Sequence, residues 1–216
     1  KVKRFHHVST DEVYGDLGPN DPSFTPDTPY NPHTPYAASK AASDLLVRAY
    51  HDTYGLPITI TNCANNFGPY QDPEKLIPRF ITNLLMVKKV PLMGKGEEIR
   101  EWLHVEDHCR AIDLVLTKGR GGETYCVGGM NKDIDNLTIV SKIVSLLKKD
   151  AKSIEFVKDR LGHDRKYAVN WQKIHDELGW QPMHDFDTWL QTTVLWYQNH
   201  STWWQRVKSG QYITTS

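Results

Sequence analysis

The chain has 216 residues, enough for one domain with a full core or for a large part of a two-domain protein, and its 26 basic residues equal its 26 acidic ones. A formal net charge of zero gives no reason to expect a nucleic acid or an anionic membrane as the partner. The sequence has no apolar run long enough to span a bilayer and no signal peptide. We expect Cys63, Cys109 and Cys126 to be reduced thiols, and the protein to be cytoplasmic.

Strand-like and helix-like segments alternate along the chain, which predicts an α/β protein with a parallel sheet. A short strand at residues 4–9 precedes a proline- and aspartate-rich loop, a helix at residues 36–54 and a strand at residues 57–62. These three elements are typical of a strand–helix–strand crossover. Because a domain seldom starts with a buried strand that has no partner before it, we expect the natural protein to continue upstream.

The remaining elements are predicted from the spacing of apolar residues and from the residues that end helices and strands. Residues 63–73 are predicted to form a loop, and residues 209–216 a frayed tail. Helices are predicted at residues 76–88, 105–118, 137–149, 171–178 and 186–200, and strands at residues 90–93, 124–127 and 153–157. The seven tryptophans, most of which occur late in the chain, are expected to pack in the core.

Tyr36 and Lys40 stand four residues apart at the start of the predicted helix, so they share one helix face. A free tyrosine ionises near pH ~10, and a base near neutrality needs a shift of roughly three units, or ~4 kcal/mol. A nearby cation in a partly desolvated site supplies energy of that order. The alternative is a surface pair on an ordinary helix, because this spacing is common by chance.

Thr10, Asp11 and Glu12 follow the first predicted strand directly. Ligands of open parallel sheets bind beyond the carboxyl ends of the strands, where these side chains are expected. Two adjacent carboxyls can divide acid and base roles if their surroundings push their pKa values apart. The alternative is a solvated loop with a capping aspartate.

Residues 9–15 (STDEVYG), together with Tyr36 and Lys40, resemble the extended short-chain dehydrogenase/reductase superfamily. Within it, a Thr-Asp-Glu triplet is the mark of the nucleotide-sugar 4,6-dehydratases. The similarity continues through residues 61–70 (TNCANNFGPY), 73–78, 94–96, 99–103, 105–108 and 159–165 (DRLGHDR), and covers the chain to about Gly210. Leu161 stands where this family usually has proline, and we expect little effect on function.

The resemblance implies a Rossmann-like parallel sheet, incomplete because its N-terminal strands are missing, with a smaller α/β domain that binds a sugar nucleotide. Residues 1–70 would belong to the NAD-binding domain and residues 71–216 mainly to the substrate domain, with residues of about 103–127 and 168–180 returning to the first. The sequence contains no GxxGxxG turn followed by an acidic residue, the usual binding site for most of NAD. The chain as given is therefore not expected to run the chemistry alone.

The implied cofactor is NAD, the implied substrate is dTDP-glucose and the implied assembly is a homodimer, in deoxysugar biosynthesis such as that of rhamnose. A UDP- or GDP-sugar dehydratase and an inactive fragment that only binds sugar nucleotide are the alternatives. No nucleic acid, membrane or metal is expected. His104 and His108 have a spacing known from metal sites, but no third ligand is evident, so we expect an ordinary helix start there.

The family's mechanism assigns a role to each residue of the catalytic set. Tyr36, held as phenolate by Lys40, would take the proton of the sugar 4-hydroxyl while Thr10 polarises that oxygen. A hydride would pass from C4 to NAD and return later to C6. In between, Glu12 would remove the C5 proton as base and Asp11 would protonate the departing 6-hydroxyl as acid.

Further contacts follow from the resemblance alone. The residues expected at the cofactor are Ser9, Tyr36, Lys40 and Asn66. Those expected at the sugar nucleotide are Thr10, Asn65, Lys75, Leu76, Pro91, Leu92, Met93, Arg100, Asn136, Arg160 and His163. Arg100 and Arg160 are the candidates for the diphosphate, because guanidinium binds phosphate oxygens in a fork; the alternative is a surface ion pair. Asn136 is the weaker match, since residues 130–135 do not align cleanly.

Overall fold

The computed structural model of the protein describes residues 2–130 and 133–210. The helices are α1 Pro35–Tyr54, α2 Leu76–Leu85, α3 Val105–Lys118, α4 Asn136–Leu146, α5 Gln172–Leu178, α6 Phe186–Asn199 and α7 Ser201–Lys208. The strands are β1 Phe5–Thr10, β2 Ile58–Cys63, β3 Asn65–Phe67, β4 Val90–Met93, β5 Ile99–Arg100, β6 Trp102–His104, β7 Thr124–Val127, β8 Ile134–Asp135, β9 Ile154–Val157 and β10 Lys166–Tyr167. Most of the predicted tail, residues 211–216, lies outside the described residues.

A three-stranded parallel sheet in the order β1-β2-β7 confirms the predicted α/β class. Its first two strands are joined through α1, as the crossover prediction requires. The helix begins where Thr34 accepts a hydrogen bond from the amide of Ala37 (3.1 Å) and Pro35 occupies the first turn. It ends at Gly55, whose φ of 64° is left-handed. These local signals define where the helix begins and ends.

Several elements depart from the predictions. The segment predicted as a loop at residues 63–73 contains β3, which pairs in parallel with β6, and α7 was not predicted. The helices α2 and α4 end three residues early, because Val87 and Lys148 adopt left-handed φ angles of 57° and 53°. Strands of two or three residues carry too little periodicity to be read from sequence.

The apolar residues form two separate cores. The first surrounds the β1-β2-β7 sheet and includes Val13, Tyr125 and Trp180, whereas the second lies among α2, α4 and α6 and includes Phe67 and Trp204. All seven tryptophans lie in these cores or pack against them, which confirms their predicted packing role. The division into two domains stays a prediction, and the two cores support it. Within residues 2–130 and 133–210, no helix has the length and apolar character needed to cross a membrane.

Glu101 is a buried carboxyl between the two cores, where its Oε2 accepts a hydrogen bond from the amide of Val169 (2.8 Å). Burial raises its pKa from the ordinary value of 4.5 to about 7. The folded chain therefore keeps a proton that the unfolded chain releases between those values, so this group's contribution to stability falls as pH rises through that window.

We expect the Glu101→Gln variant to lose this pH dependence. Relative to the wild type, its free energy of unfolding should rise by up to about 3 kcal/mol between about pH 5 and about pH 8, at ~1.36 kcal/mol per pKa unit. Urea unfolding followed by circular dichroism at both pH values measures the difference. The exposed Glu155→Gln variant is the matched control, and equal slopes for all three proteins would contradict the assignment.

Candidate active site

The triplet predicted from the sequence lies at the carboxyl end of β1. Thr10 ends the strand, and its hydroxyl accepts a hydrogen bond from the amide of Glu12 (3.3 Å) and donates one to Asp11 Oδ1 (3.3 Å). Asp11 is buried, and its Oδ2 has no hydrogen-bond partner among the described residues. Glu12 is only partly buried and reaches a cavity. The two adjacent carboxyls therefore occupy different surroundings.

This difference sets their proton affinities apart. Burial raises the pKa of Asp11 well above its usual range, and the nearby carboxyls of Glu12 and Glu101 add to the effect. Burial also raises the pKa of Glu12, but the cations Arg100, Arg160 and Lys75 oppose the rise. Asp11 is thus the carboxyl better suited to hold a proton for donation, and Glu12 the one better suited to act as a base.

Tyr36 lies in the first turn of α1, about half exposed, at the edge of the same cavity. Its pKa is raised, first by burial and then by Glu12, Cys63 and Asp11. The Lys40 ammonium donates to the backbone carbonyl of Val8 (2.9 Å). The predicted lowering of the Tyr36 pKa by Lys40 is therefore wrong in this structure, because burial, the largest effect, raises the pKa and the neighbouring Glu12, Cys63 and Asp11 raise it further.

A cavity of about 560 Å³ opens in front of the triplet. Glu12 and Tyr36 line it, together with every residue predicted to contact the sugar nucleotide except Thr10: Asn65, Lys75, Leu76, Pro91, Leu92, Met93, Arg100, Asn136, Arg160 and His163. Thr10 lies beneath the lining with its hydroxyl directed to Asp11. The structure thus brings together residues spread over most of the sequence.

Four cationic side chains line this cavity against two carboxylates, Glu12 and Glu74. The cations are Lys75, Arg79, Arg100 and Arg160. Such an excess of positive charge in a concave site attracts an anionic ligand.

Arg100 is 5% exposed, and backbone carbonyls hold it in place. Its guanidinium donates to the carbonyls of Asp164 (2.9 Å) and Arg165 (3.2 Å) and lies over the Tyr167 ring, 4.3 Å from the centroid. In the part of the chain that the structure describes, neither Arg100 nor Arg160 forms an ion pair with a carboxylate. The surface ion-pair alternative is therefore not what the structure contains.

His163 reaches the cavity from a loop, and Asn136 reaches it from the first turn of α4. His163 Nδ1 lies 2.7 Å from Asp159 Oδ1, and Asn136 Nδ2 donates to Glu98 Oε2 (3.1 Å). Asn136, the weaker sequence match, begins α4 directly after its capping residue Asp135. Leu161, next to this site, is 97% exposed, so the proline that the family usually has there is not needed for packing.

The sequence analysis missed several lining residues and one buried connector. The missed lining residues are Thr34, Pro35, Glu74, Arg79, Phe80, Trp102 and Tyr167. The connector is Asn62 on β2, whose Nδ2 donates to the Thr10 carbonyl (3.2 Å) and to Asp44 Oδ2 on α1 (3.0 Å). Tyr14 donates its hydroxyl to Asn62 Oδ1 (3.2 Å). The sequence offered one signal for Asn62, namely a single amide side chain in a strand of mostly β-branched residues, because a buried amide needs hydrogen-bond partners.

Of the predicted cofactor residues, Tyr36 lines the cavity, whereas Ser9, Lys40 and Asn66 do not. Ser9 is buried, and its Oγ has no hydrogen-bond partner among the described residues. Asn66 Nδ2 donates to the Ala64 carbonyl (3.0 Å), and its Oδ1 lies 2.9 Å from His108 Nδ1. His104 caps α3, which confirms the predicted helix start; His108 instead faces Asn66, so the two histidines do not act as a pair.

The parallel crossover sheet, the acidic triplet at its strand end and the Tyr-Lys helix together define an extended short-chain dehydrogenase/reductase. A sequence model described as GDP-mannose 4,6 dehydratase matches residues 1–193, and the chain belongs to this family. The chain is 52% identical over 220 residues to dTDP-glucose 4,6-dehydratase of Neisseria meningitidis serogroup B, covering 97% of this chain and 62% of that protein. It is 50% identical over 227 residues to the Escherichia coli protein of the same name, covering 97% and 63%.

Solved structures give the same picture. DesIV, a dTDP-glucose 4,6-dehydratase from Streptomyces venezuelae solved with NAD and TYD bound, superposes with a TM-score of 0.92 at 49% identity, over 95% of this chain and 63% of that one. UDP-glucuronic acid 4-epimerase from Bacillus cereus, in complex with UDP-glucuronic acid and NAD, gives 0.85 at 25% identity, over 92% and 62%. The chain spans less than two thirds of the length of these relatives.

Proposed function

We propose that the protein is a lyase that removes water from dTDP-glucose, with NAD as cofactor, to give the 4-keto-6-deoxy sugar nucleotide. The observation that carries the proposal is the pair of adjacent carboxyls, Asp11 and Glu12, with unequal surroundings beside Tyr36 at a cationic cavity. A simple alcohol oxidation needs one base, whereas loss of water across C5 and C6 needs a base and an acid together.

The nucleotide diphosphate is the part of the substrate that the cavity charge would hold. Arg100 and Arg160 have no carboxylate partners among the described residues, so no acidic side chain neutralises their charge at the cavity. Arg160 would bind phosphate oxygens directly, and Arg100 would use the N–H groups that are not bonded to backbone carbonyls. The stretch from Pro91 to Met93 lines the cavity and would present backbone groups to the base. The names of the similar proteins favour thymine as that base, with UDP- and GDP-sugars as the alternatives.

The residues near Ser9 fit a bound NAD. A buried hydroxyl without a partner at the end of β1 suits a polar ligand group, and Lys40 lies beside the same strand through its contact with Val8. Ser9, Tyr36, Lys40 and Asn66 would hold the nicotinamide end. When bound, NAD would supply a group that takes up a hydride and later returns it.

The side chains of this chain would move the protons. Tyr36 would accept the proton of the sugar 4-hydroxyl as phenolate, which requires that bound ligands lower the raised pKa that Tyr36 has in this chain alone. Thr10 would orient the same oxygen. Once C4 is a ketone, the C5 hydrogen is acidic and Glu12 removes it. Asp11, whose buried carboxyl keeps its proton, delivers it to the departing 6-hydroxyl so that water leaves.

The test is a comparison of nucleotides and nucleotide sugars. We expect dTDP to bind the chain more tightly than UDP or GDP by about tenfold, or ~1.4 kcal/mol, in calorimetric titrations. The Arg160→Ala variant should weaken binding, whereas Arg206→Ala on α7, outside the cavity, should not.

The longer protein of which this chain is expected to form part should then convert dTDP-glucose to a 4-keto product in the presence of NAD. A product from a UDP- or GDP-sugar alone would move the proposal to that substrate. If dTDP binds but no nucleotide sugar is converted, the alternative of a protein that only binds sugar nucleotide would remain.

Three further features belong to the same proposal. The exposed apolar side chains of Leu45, Leu46 and Tyr50 on α1 suit the surface of a homodimer. The free thiols of Cys63, Cys109 and Cys126 suit the cytoplasm. The two apolar cores suit a cofactor domain at residues 1–70, joined by residues of about 103–127 and 168–180, and a substrate domain.

A further inference from the structure

Two histidines and a glutamate meet at the corner between β6 and α3, away from the cavity. His104 ends β6, Glu106 lies in the first turn of α3, and His184 lies in the segment just before α6. One ring nitrogen of each histidine and one carboxylate oxygen of Glu106 lie within 4.8 Å of one another. The two imidazole rings stack with their centroids 4.6 Å apart. The sequence could not reveal this third member, because 80 residues separate His184 from His104.

The ring nitrogens of this cluster are poorly satisfied. His104 is 1% exposed, and its Nε2 has no hydrogen-bond partner among the described residues. His184 Nδ1 lies 2.8 Å from Asp107 Oδ1 but outside hydrogen-bond geometry, and its Nε2 lies 3.3 Å from Glu106 Oε2. His104 Nδ1 accepts a hydrogen bond from the Glu106 amide (3.4 Å), so the unsatisfied atom of this buried ring is Nε2. Buried polar atoms normally have partners, and one without a partner in a cluster of metal-ligating side chains suits a missing ligand.

We propose that His104, Glu106 and His184 bind a divalent transition-metal ion of the zinc type. Two imidazoles and one carboxylate are a donor set that Zn²⁺ accepts, and nitrogen ligands disfavour Mg²⁺ and Ca²⁺. The Glu106 side chain is 61% exposed, which leaves an open path from solvent and room for a water as fourth ligand.

Asp107 supports the cluster from behind. It is fully buried, and its Oδ2 accepts hydrogen bonds from the amides of Met183 and His184 (2.9 Å each). Its other oxygen, Oδ1, accepts a hydrogen bond from Arg110 Nη1 (2.7 Å) and lies 2.8 Å from His184 Nδ1. A carboxylate in this position would orient the His184 ring for ligation through Nε2. A metal held here would clamp the segment before α6 to the corner between β6 and α3.

A second group with suitable residue types, Glu98, Asp159 and His163, does not carry the same inference. His163 Nδ1 is already hydrogen-bonded to Asp159, and Glu98 accepts from Asn136. The members of that group thus have partners, and His163 belongs to the cavity assigned to the sugar nucleotide.

The test is a calorimetric titration of the chain with Zn²⁺. We expect one zinc ion per chain at the cluster, with affinity lower by at least about tenfold in His184→Gln and in Glu106→Gln. Because Glu106 is exposed, its variant should fold normally, and unchanged circular dichroism verifies this. Two controls should retain the affinity: Glu155→Gln, a matched exposed carboxylate, and His163→Gln, in the second group.

Three outcomes would overturn the proposal. These are no zinc binding, zinc binding that Glu106→Gln leaves unchanged, and zinc binding that His163→Gln abolishes.

Discussion

Replacing Asp11 with asparagine should lower turnover of dTDP-glucose by about 10²–10⁴-fold, the usual worth of a positioned acid. Asparagine has the same shape and can still accept the hydrogen bond from Thr10, but it has no proton to transfer to the departing hydroxyl. The steps before water loss do not use Asp11. Reduced cofactor should therefore accumulate after substrate is added, which absorbance measures in the longer protein.

The exposed Asp52→Asn variant, on the outer face of α1, is the matched control and should turn over normally. The pH profile adds a second readout. Because burial raises the Asp11 pKa, the acid form persists to higher pH than in an exposed aspartate, and activity should fall as pH rises through that raised pKa. Turnover of Asp11→Asn at the wild-type rate would exclude Asp11 as the acid.

Replacing Tyr36 with phenylalanine should stop the reaction one step earlier, with a loss of turnover of at least about 10²-fold. The variant lacks the phenolic oxygen that accepts the first proton in the proposed mechanism, so no reduced cofactor should form. The side chain is about half exposed, so the free energy of unfolding should stay within about 0.5 kcal/mol of the wild type.

The control for this variant is Tyr54→Phe, at the exposed end of the same helix. The two variants of the active site are most informative together, because Asp11→Asn should build up reduced cofactor and Tyr36→Phe should not. Accumulation in both would mean that another group takes the first proton.

Much of the cavity could be predicted because its residues lie in contiguous motifs. Thr10, Asp11 and Glu12 are adjacent in sequence, and helix capping signals define the turn that carries Tyr36. Arg79 and Trp102 were missed because they resemble the exposed and buried positions of ordinary elements. Their contribution depends on how α2 and β6 meet across the cavity, which is a tertiary property.

The Tyr36 pKa could not be predicted for the same reason. Helix spacing brings Lys40 to the correct face, but its ammonium binds the Val8 carbonyl, a partner 32 residues away in the chain. The environment of Tyr36 depends on Asp11 and Glu12, which reach it through the fold of the sheet. Spacing predicts which residues are neighbours, whereas the sign of a pKa shift depends on every charge around the group.

Asn62 has a consequence for how the protein loses activity. One amide joins the Thr10 carbonyl on β1 to Asp44 on α1, inside the strand at the centre of the sheet. The acid–base groups and the helix of Tyr36 therefore belong to the same cooperative unit as the first core. The arrangement of these residues should therefore persist until the sheet unfolds. Activity and folded structure should be lost over the same temperature range.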